Sequence, residues 1–131
     1  MTKTGFSPAG AMRRRIALLV LQLPMLLAGA GAVAGNMEAE IDYLVAEVAD
    51  SDCTFIRNGR EHDARAASKH LQMKRERGRR HYDTTAQFVE RIASKSSWSG
   101  QDYQIRCGDT TVTAKEWFSA RLAEYGDANS D

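Results

Sequence analysis

The sequence predicts an α+β domain in which two β-hairpins form a small antiparallel sheet, packed with about four helices and held by one disulfide, behind a cleavable N-terminal signal helix. Three observations carry that expectation. Two stretches of alternating polarity fold back at glycine-containing turns, amphipathic segments open on capping residues, and the chain has only two cysteines, one in each hairpin.

The chain begins with Lys3, Arg13, Arg14 and Arg15 and no acid before Ile16. An apolar run from Ile16 to Leu27 follows, and then small residues from Ala28 to Gly35. Ala32-Val33-Ala34 fits the small-x-small pattern that signal peptidase admits, so residues 1–34 read as a signal peptide and 35–131 as a single domain. The alternative is an uncleaved anchor. Against it, the run is interrupted by Pro24 and is shorter than the roughly 20 residues that span a hydrocarbon core. Cleavage removes four of the 18 basic residues and none of the 17 acidic ones, leaving 14 against 17, a net charge of −3. A globally basic nucleic-acid binder is thereby disfavoured, and no stable membrane insertion is expected after cleavage.

Asn36 to Asp50 places Ile41, Leu44, Val45 and Val48 on one face, an amphipathic helix with Asn36 as N-cap. Cys53 to Arg57 alternates, and Asn58-Gly59, a pair suited to two positive φ angles, turns the chain into Arg60-Glu61-His62. Asp63 caps a second helix with Ala64, Ala67 and Leu71 inward. Beyond Leu71 the apolar stripe fades into a basic run, which must be solvated or docked on something acidic. Thr84-x-x-Gln87 has capping-box spacing and opens a third helix that carries Phe88, Val89 and Ile92 inward. A polar loop with Ser94, Ser96, Ser97 and Ser99 follows. Tyr103, Ile105 and Cys107 then share one face of the second hairpin, which turns at Gly108-Asp109. Thr113-x-x-Glu116 is another capping box; it starts a last helix with Phe118, Leu122 and Tyr125 aligned and Gly126 as the stop.

Cys53 shares its face with Phe55 and Cys107 shares its face with Ile105, so both sulfurs point inward. In an exported protein that favours a Cys53–Cys107 disulfide over two free buried thiols.

No catalytic or cofactor motif stands out. The loop serines and His62, His70 and His81 could form a hydrolase or transferase site, but neither Gly-x-Ser-x-Gly nor Ser-x-x-Lys occurs. The histidine spacings fit no helical metal site, so neither a metal nor another cofactor is expected. From Lys69 to Arg80 the chain holds six Lys or Arg and one acid, a candidate grip for anionic lipid or polymer. Trp98, in a polar loop, either covers the edge of the core or serves as an exposed anchor, whereas Trp117 is expected to pack. The leading expectation is a non-enzymatic binding or accessory module of the cell envelope. Its contact surface would be Arg57, Asn58, Ser94, Lys95, Ser96, Ser97 and Trp98, and its partner an envelope ligand or protein rather than nucleic acid.

Glu40 to Leu44, Thr54 to Gly59, Ala66 to Leu71, Ile92 to Ser97 and Tyr103 to Cys107 resemble the YfeK-like family of small exported bacterial proteins, a family of unknown function. The most specific pieces are Phe55 to Gly59, Ala93 to Ser97 and Ser99-Gly100. The resemblance implies a Gram-negative periplasmic setting and carries no activity. Gly78-Arg79-Arg80-His81 departs from it in being more basic and less apolar.

Overall fold

The protein is described by a computed structural model covering residues 31–130, with side chains from Asn36 onward. The charged end and the apolar run of the expected signal segment, within residues 1–30, lie outside the described residues.

Helix α1 (Gly31–Asp50) buries Met37, Ile41, Leu44 and Val48. It begins before Asn36, so that residue is an exposed interior position and not the N-cap the sequence suggested. Strands β1 (Thr54–Arg57) and β2 (Arg60–His62) form the first hairpin. Its turn has Asn58 at φ 49° and Gly59 at φ 78°, the doubly positive geometry that the Asn-Gly pair accepts at least cost. Strands β3 (Gln104–Cys107) and β4 (Thr110–Thr113) form the second. The hairpins join through β1 and β3 into an antiparallel sheet of order β2-β1-β3-β4.

In the β1–β3 ladder Phe55 faces Ile105, and one pleat further out Cys53 meets Cys107 with the Cα atoms 4.4 Å apart. That separation matches a non-hydrogen-bonded antiparallel pair. The two cysteines are bonded to each other and pack against the core, as their shared face requires.

Helix α2 (Ala64–Arg77) is capped by Asp63, whose Oδ1 accepts from the Ala66 N–H at 2.8 Å. Its basic half is docked as well as solvated. Arg75 donates to Asp42 and Glu38 of α1 at 2.6 Å each, and Arg79 approaches Glu38 at 3.5 Å. At Gly78 a Cβ would sit 2.5 Å from Ile92 Cδ1 and 2.9 Å from the Lys74 carbonyl oxygen, so the close approach there requires glycine.

After a 3₁₀ turn at Arg79–His81, helix α3 opens as Thr85–Phe88 and continues in π-helical form over Val89–Ala93. Thr84 accepts from the Gln87 N–H as expected, but the Gln87 side chain accepts from Asp83 N rather than from Thr84, one residue off a true capping box. The wider i→i+5 winding gathers the buried Phe88, Val89, Ile92 and Ala93 onto a narrower face than α-helical winding allows.

Helix α4 (Ala114–Ala128) has the predicted capping box, with Thr113 and Glu116 exchanging bonds at 3.0 and 3.2 Å. It runs past Gly126 to Ala128, so that glycine does not stop it. Trp117 is buried edge-on against Phe55 and Phe118. The helices cover the sheet face that carries Phe55 and Ile105, and the core lies between them.

Candidate functional site

An open groove of about 990 Å³ lies where α2, the β1–β2 turn and the 94–103 loop meet. Six of the seven expected contact residues line it: Arg57, Asn58, Lys95, Ser96, Ser97 and Trp98. Ser94 does not. It is buried behind the loop, where its carbonyl accepts from the Tyr103 N–H at 2.9 Å.

The serines knit the loop together. Ser96 Oγ accepts from the N–H groups of Trp98 (3.2 Å) and Ser99 (3.1 Å), a local side-chain-to-backbone arrangement that replaces regular structure. It also accepts from Asn58 Nδ2 at 3.3 Å, while Ser99 Oγ donates to Asn58 Oδ1 at 2.7 Å. Asn58 thus shapes the hairpin turn with its backbone and ties that turn to the loop with its side chain. Among the described residues no serine hydrogen-bonds a histidine, so the pairing a serine nucleophile needs is not assembled here. Nor do three or more His, Cys, Asp or Glu side chains gather in metal-binding range among those residues.

The groove floor adds two residues to Arg57 that the sequence did not single out as contact residues, Lys74 and His70. Lys74 continues the Ala67, Leu71 stripe of α2 and is only 8% exposed. Its Nζ donates to the Lys95 carbonyl at 2.5 Å and to the Tyr103 hydroxyl at 3.1 Å. Arg57 lies two residues past Phe55, so the strand period carries it to the core-side face of the sheet, toward α2. His70, one position before Leu71, also lines the floor, with its ring edge-on to Tyr103. The signal for all three was polar character at positions whose spacing assigns them inward. A lysine on the buried stripe of a helix is the strongest such mark, because lysine is seldom buried without a partner.

Electrostatically the groove is cationic and uncompensated. Arg57, Lys74, Arg77, Arg80, Arg91 and Lys95 all line the groove, against one acid, Asp83. Among the described residues none of the six has a carboxylate at ion-pair distance. Burial, reinforced by the Arg57 charge, depresses the Lys74 ammonium to about 8. Burial first, then Arg57, Lys74 and His62, depress the His70 imidazole to about 4. Burial raises the Tyr103 phenol, with Arg57 and Ser96 opposing it.

A stability consequence follows for His70. The unfolded chain takes a proton near pH 6.5 that the folded protein refuses until about pH 4, so stability falls as pH drops through that window. Allowing for solvent at the groove mouth, the loss is about 1–2 kcal/mol. Urea unfolding of His70→Asn between pH 7 and 4 is expected to show that much less acid sensitivity than the parent; equal sensitivity would contradict the half-buried, neutral imidazole.

Trp98 stands 91% exposed at the groove rim, which settles its alternatives in favour of the exposed position.

Residues 35–126 match the family of unknown function DUF5329. The chain belongs to this family. It is also similar to the uncharacterized protein YfeK of Salmonella typhimurium (strain LT2), at 34% identity over 91 residues, which cover 69% of this chain and 76% of that protein. No solved structure matches the chain. The matched family segment contains the whole sheet, the groove and both cysteines, so the site lies within the part of the chain that defines the DUF5329 likeness.

Proposed function

We propose that this DUF5329 chain is exported, cleaved near Ala34, and works in the periplasm as a non-enzymatic binding or accessory module whose basic groove is its contact surface. The observation that carries the reading is the groove's charge: six Lys or Arg against one acid, with no carboxylate paired to any of the six among the described residues. Crowding like charges around a partly dry floor costs stability, and a protein tolerates that where a ligand of opposite sign is to be held. Export is supported by the charged end, apolar run and Ala-x-Ala of the N-terminus, and by a disulfide that needs an oxidising compartment to persist.

The basic-helix docking alternative folds into the same surface, because Lys74, Arg77 and Arg80 of the basic run line the groove beside the loop residues. The ligand expected is anionic. The mature chain has a net charge of −3 from its 14 basic and 17 acidic residues, so a uniform charge distribution would keep it off a negatively charged resin. Retention of the mature, oxidised protein on a carboxymethyl matrix at low salt, released by added salt and lost in Arg57→Gln/Lys95→Glu, is the expected result. Flow-through of the parent, or equal retention of the double variant, would refute the groove as the contact surface.

A further inference from the structure

We infer that the floor of the groove is a subsite for one doubly charged phosphoryl group, inorganic phosphate or the end of a phosphate monoester. The inference rests on the reading of the groove as the contact surface and specifies what that surface holds.

Charge comes first. Arg57 and Lys74 sit at the floor, on the core-side face of β1 and on the buried stripe of α2, and neither has a carboxylate at ion-pair distance among the described residues. One buried and one half-buried positive charge are neutralised together by one dianion. A phosphate monoester carries close to two negative charges at neutral pH, whereas a phosphodiester or a carboxylate carries one.

Donor geometry agrees. Arg57 Nε and His70 Nε2 are both buried and have no hydrogen-bond partner, although buried polar atoms are ordinarily satisfied. Lys74 uses its bonds to the Lys95 carbonyl and the Tyr103 hydroxyl and keeps a third N–H, while the Tyr103 hydroxyl is already engaged by Lys74, Arg57 and Ser96 and so anchors the floor. With His70 neutral and carrying its proton on Nε2, the floor offers donors from β1 and α2. Three terminal oxygens on a tetrahedral phosphorus can use all of them, whereas a planar carboxylate presents two oxygens in one plane. Arginine suits the task because its planar fork matches phosphate oxygens in pairs.

The outer groove fits the same ligand. Arg77, Arg80, Arg91 and Lys95 add positive potential around the mouth, which raises the local concentration of an approaching anion. Trp98, fully in solvent at the rim, presents a flat apolar face to whatever carries the phosphate. No bond is made or broken; the site captures and holds.

The test is calorimetric titration of the mature, oxidised protein at constant ionic strength with inorganic phosphate, glycerol 3-phosphate, dimethyl phosphate and acetate. The first two are expected to bind at least about tenfold tighter than the last two, and glycerol 3-phosphate to weaken from pH 7 to 5 as its second charge is neutralised. Arg57→Gln and Lys74→Met are each expected to lower glycerol 3-phosphate affinity about tenfold or more, the worth of one charge-assisted bond. Arg57→Lys, which keeps the charge and loses the fork, should fall between. Near-ultraviolet dichroism of each variant checks the fold, and Arg57→Lys keeps the comparison valid if Lys74→Met does not fold.

Two further arms separate the sources of the phosphate. Sedimentation with phosphatidic acid vesicles and not with phosphatidylglycerol vesicles assigns a lipid monoester; binding of glycerol 3-phosphate without either sedimentation assigns a soluble one. Dimethyl phosphate or acetate binding within threefold of glycerol 3-phosphate, or folded variants with unchanged affinity, would overturn the phosphoryl subsite. If the carboxymethyl retention persisted in that case, the groove reading would stand without it.

Discussion

Removing the Cys53–Cys107 bond is expected to lower the stability of the domain by about 4 kcal/mol. The bond closes a loop with a sequence separation of 54 residues, and chain entropy sets a cost of that size for freeing such a loop in the unfolded state. It lies between the two hairpins, so it also fixes the register in which Phe55 meets Ile105 and in which Arg57 lies toward Tyr103. Cys53→Ala/Cys107→Ala measured by urea unfolding in oxidising buffer should reproduce the loss seen when dithiothreitol is added to the parent. A loss below about 1 kcal/mol would mean that the link adds little to a sheet already formed by its hairpins. For a domain of this size, 4 kcal/mol is a large share of the total, since net stabilities run about 5–15 kcal/mol.

Phe88→Ala is expected to cost about 3–5 kcal/mol, the range for removing a fully buried aromatic ring. Phe88 has no exposed surface and stands at the junction where α3 changes from α to π winding. It meets Tyr82 edge-on with the ring centroids 5.1 Å apart, and Tyr82 is itself buried. The void left by alanine is flanked by elements anchored on both sides, so it cannot collapse cheaply. Equilibrium unfolding in urea measures the cost. A value under about 1.5 kcal/mol would show that the helix rewinds to fill the gap and that the π segment is not held by its packing.

Much of the fold was legible because its elements obey local rules that a single sequence displays. Asn58-Gly59 and Gly108-Asp109 mark the two turns, Asp63, Thr84 and Thr113 mark three helix starts, and alternation set Cys53 and Cys107 on the faces where they meet. The pairing of β1 with β3 is not local. Neither hairpin alone specifies that strand order, and the only pointer to it is the inward direction shared by the two sulfurs. Asn36 misled because a good capping residue can lie inside a helix whose preceding residues are also helical. Gly126 misled in the same way, since glycine weakens an exposed helix position without forbidding it. The π winding left no mark, because Phe88, Val89, Ile92 and Ala93 also fit one face of an ordinary helix.

The site was legible in part. Its rim was visible as the Ser-rich loop, Trp98 and the Asn-Gly turn, all of which depart from what a core needs. Of its floor only Arg57 was visible, because composition places Lys74 with its neighbours in one basic run. The structure divides that run three ways: Arg75 is paired to α1, Arg77 and Arg80 face the groove mouth, and Lys74 is turned inward beneath them. Charge composition cannot separate these roles, whereas helical phase can. Counting from Ala67 and Leu71, position 74 falls on the buried stripe and position 75 toward α1.

Function at the groove depends above all on an anion entering it and settling on its floor. The most direct measurement is a two-dimensional NMR titration of the mature, oxidised protein, labelled with nitrogen-15, with inorganic phosphate. The predicted result is saturable shifts confined to Arg57, Asn58, His70, Lys74, the 94–100 loop and Tyr103, with the amides of α4 and the far sheet edge at β4 unmoved. Shifts scattered over the surface without saturation, or none at the floor residues up to the concentration that moves rim arginines, would contradict it.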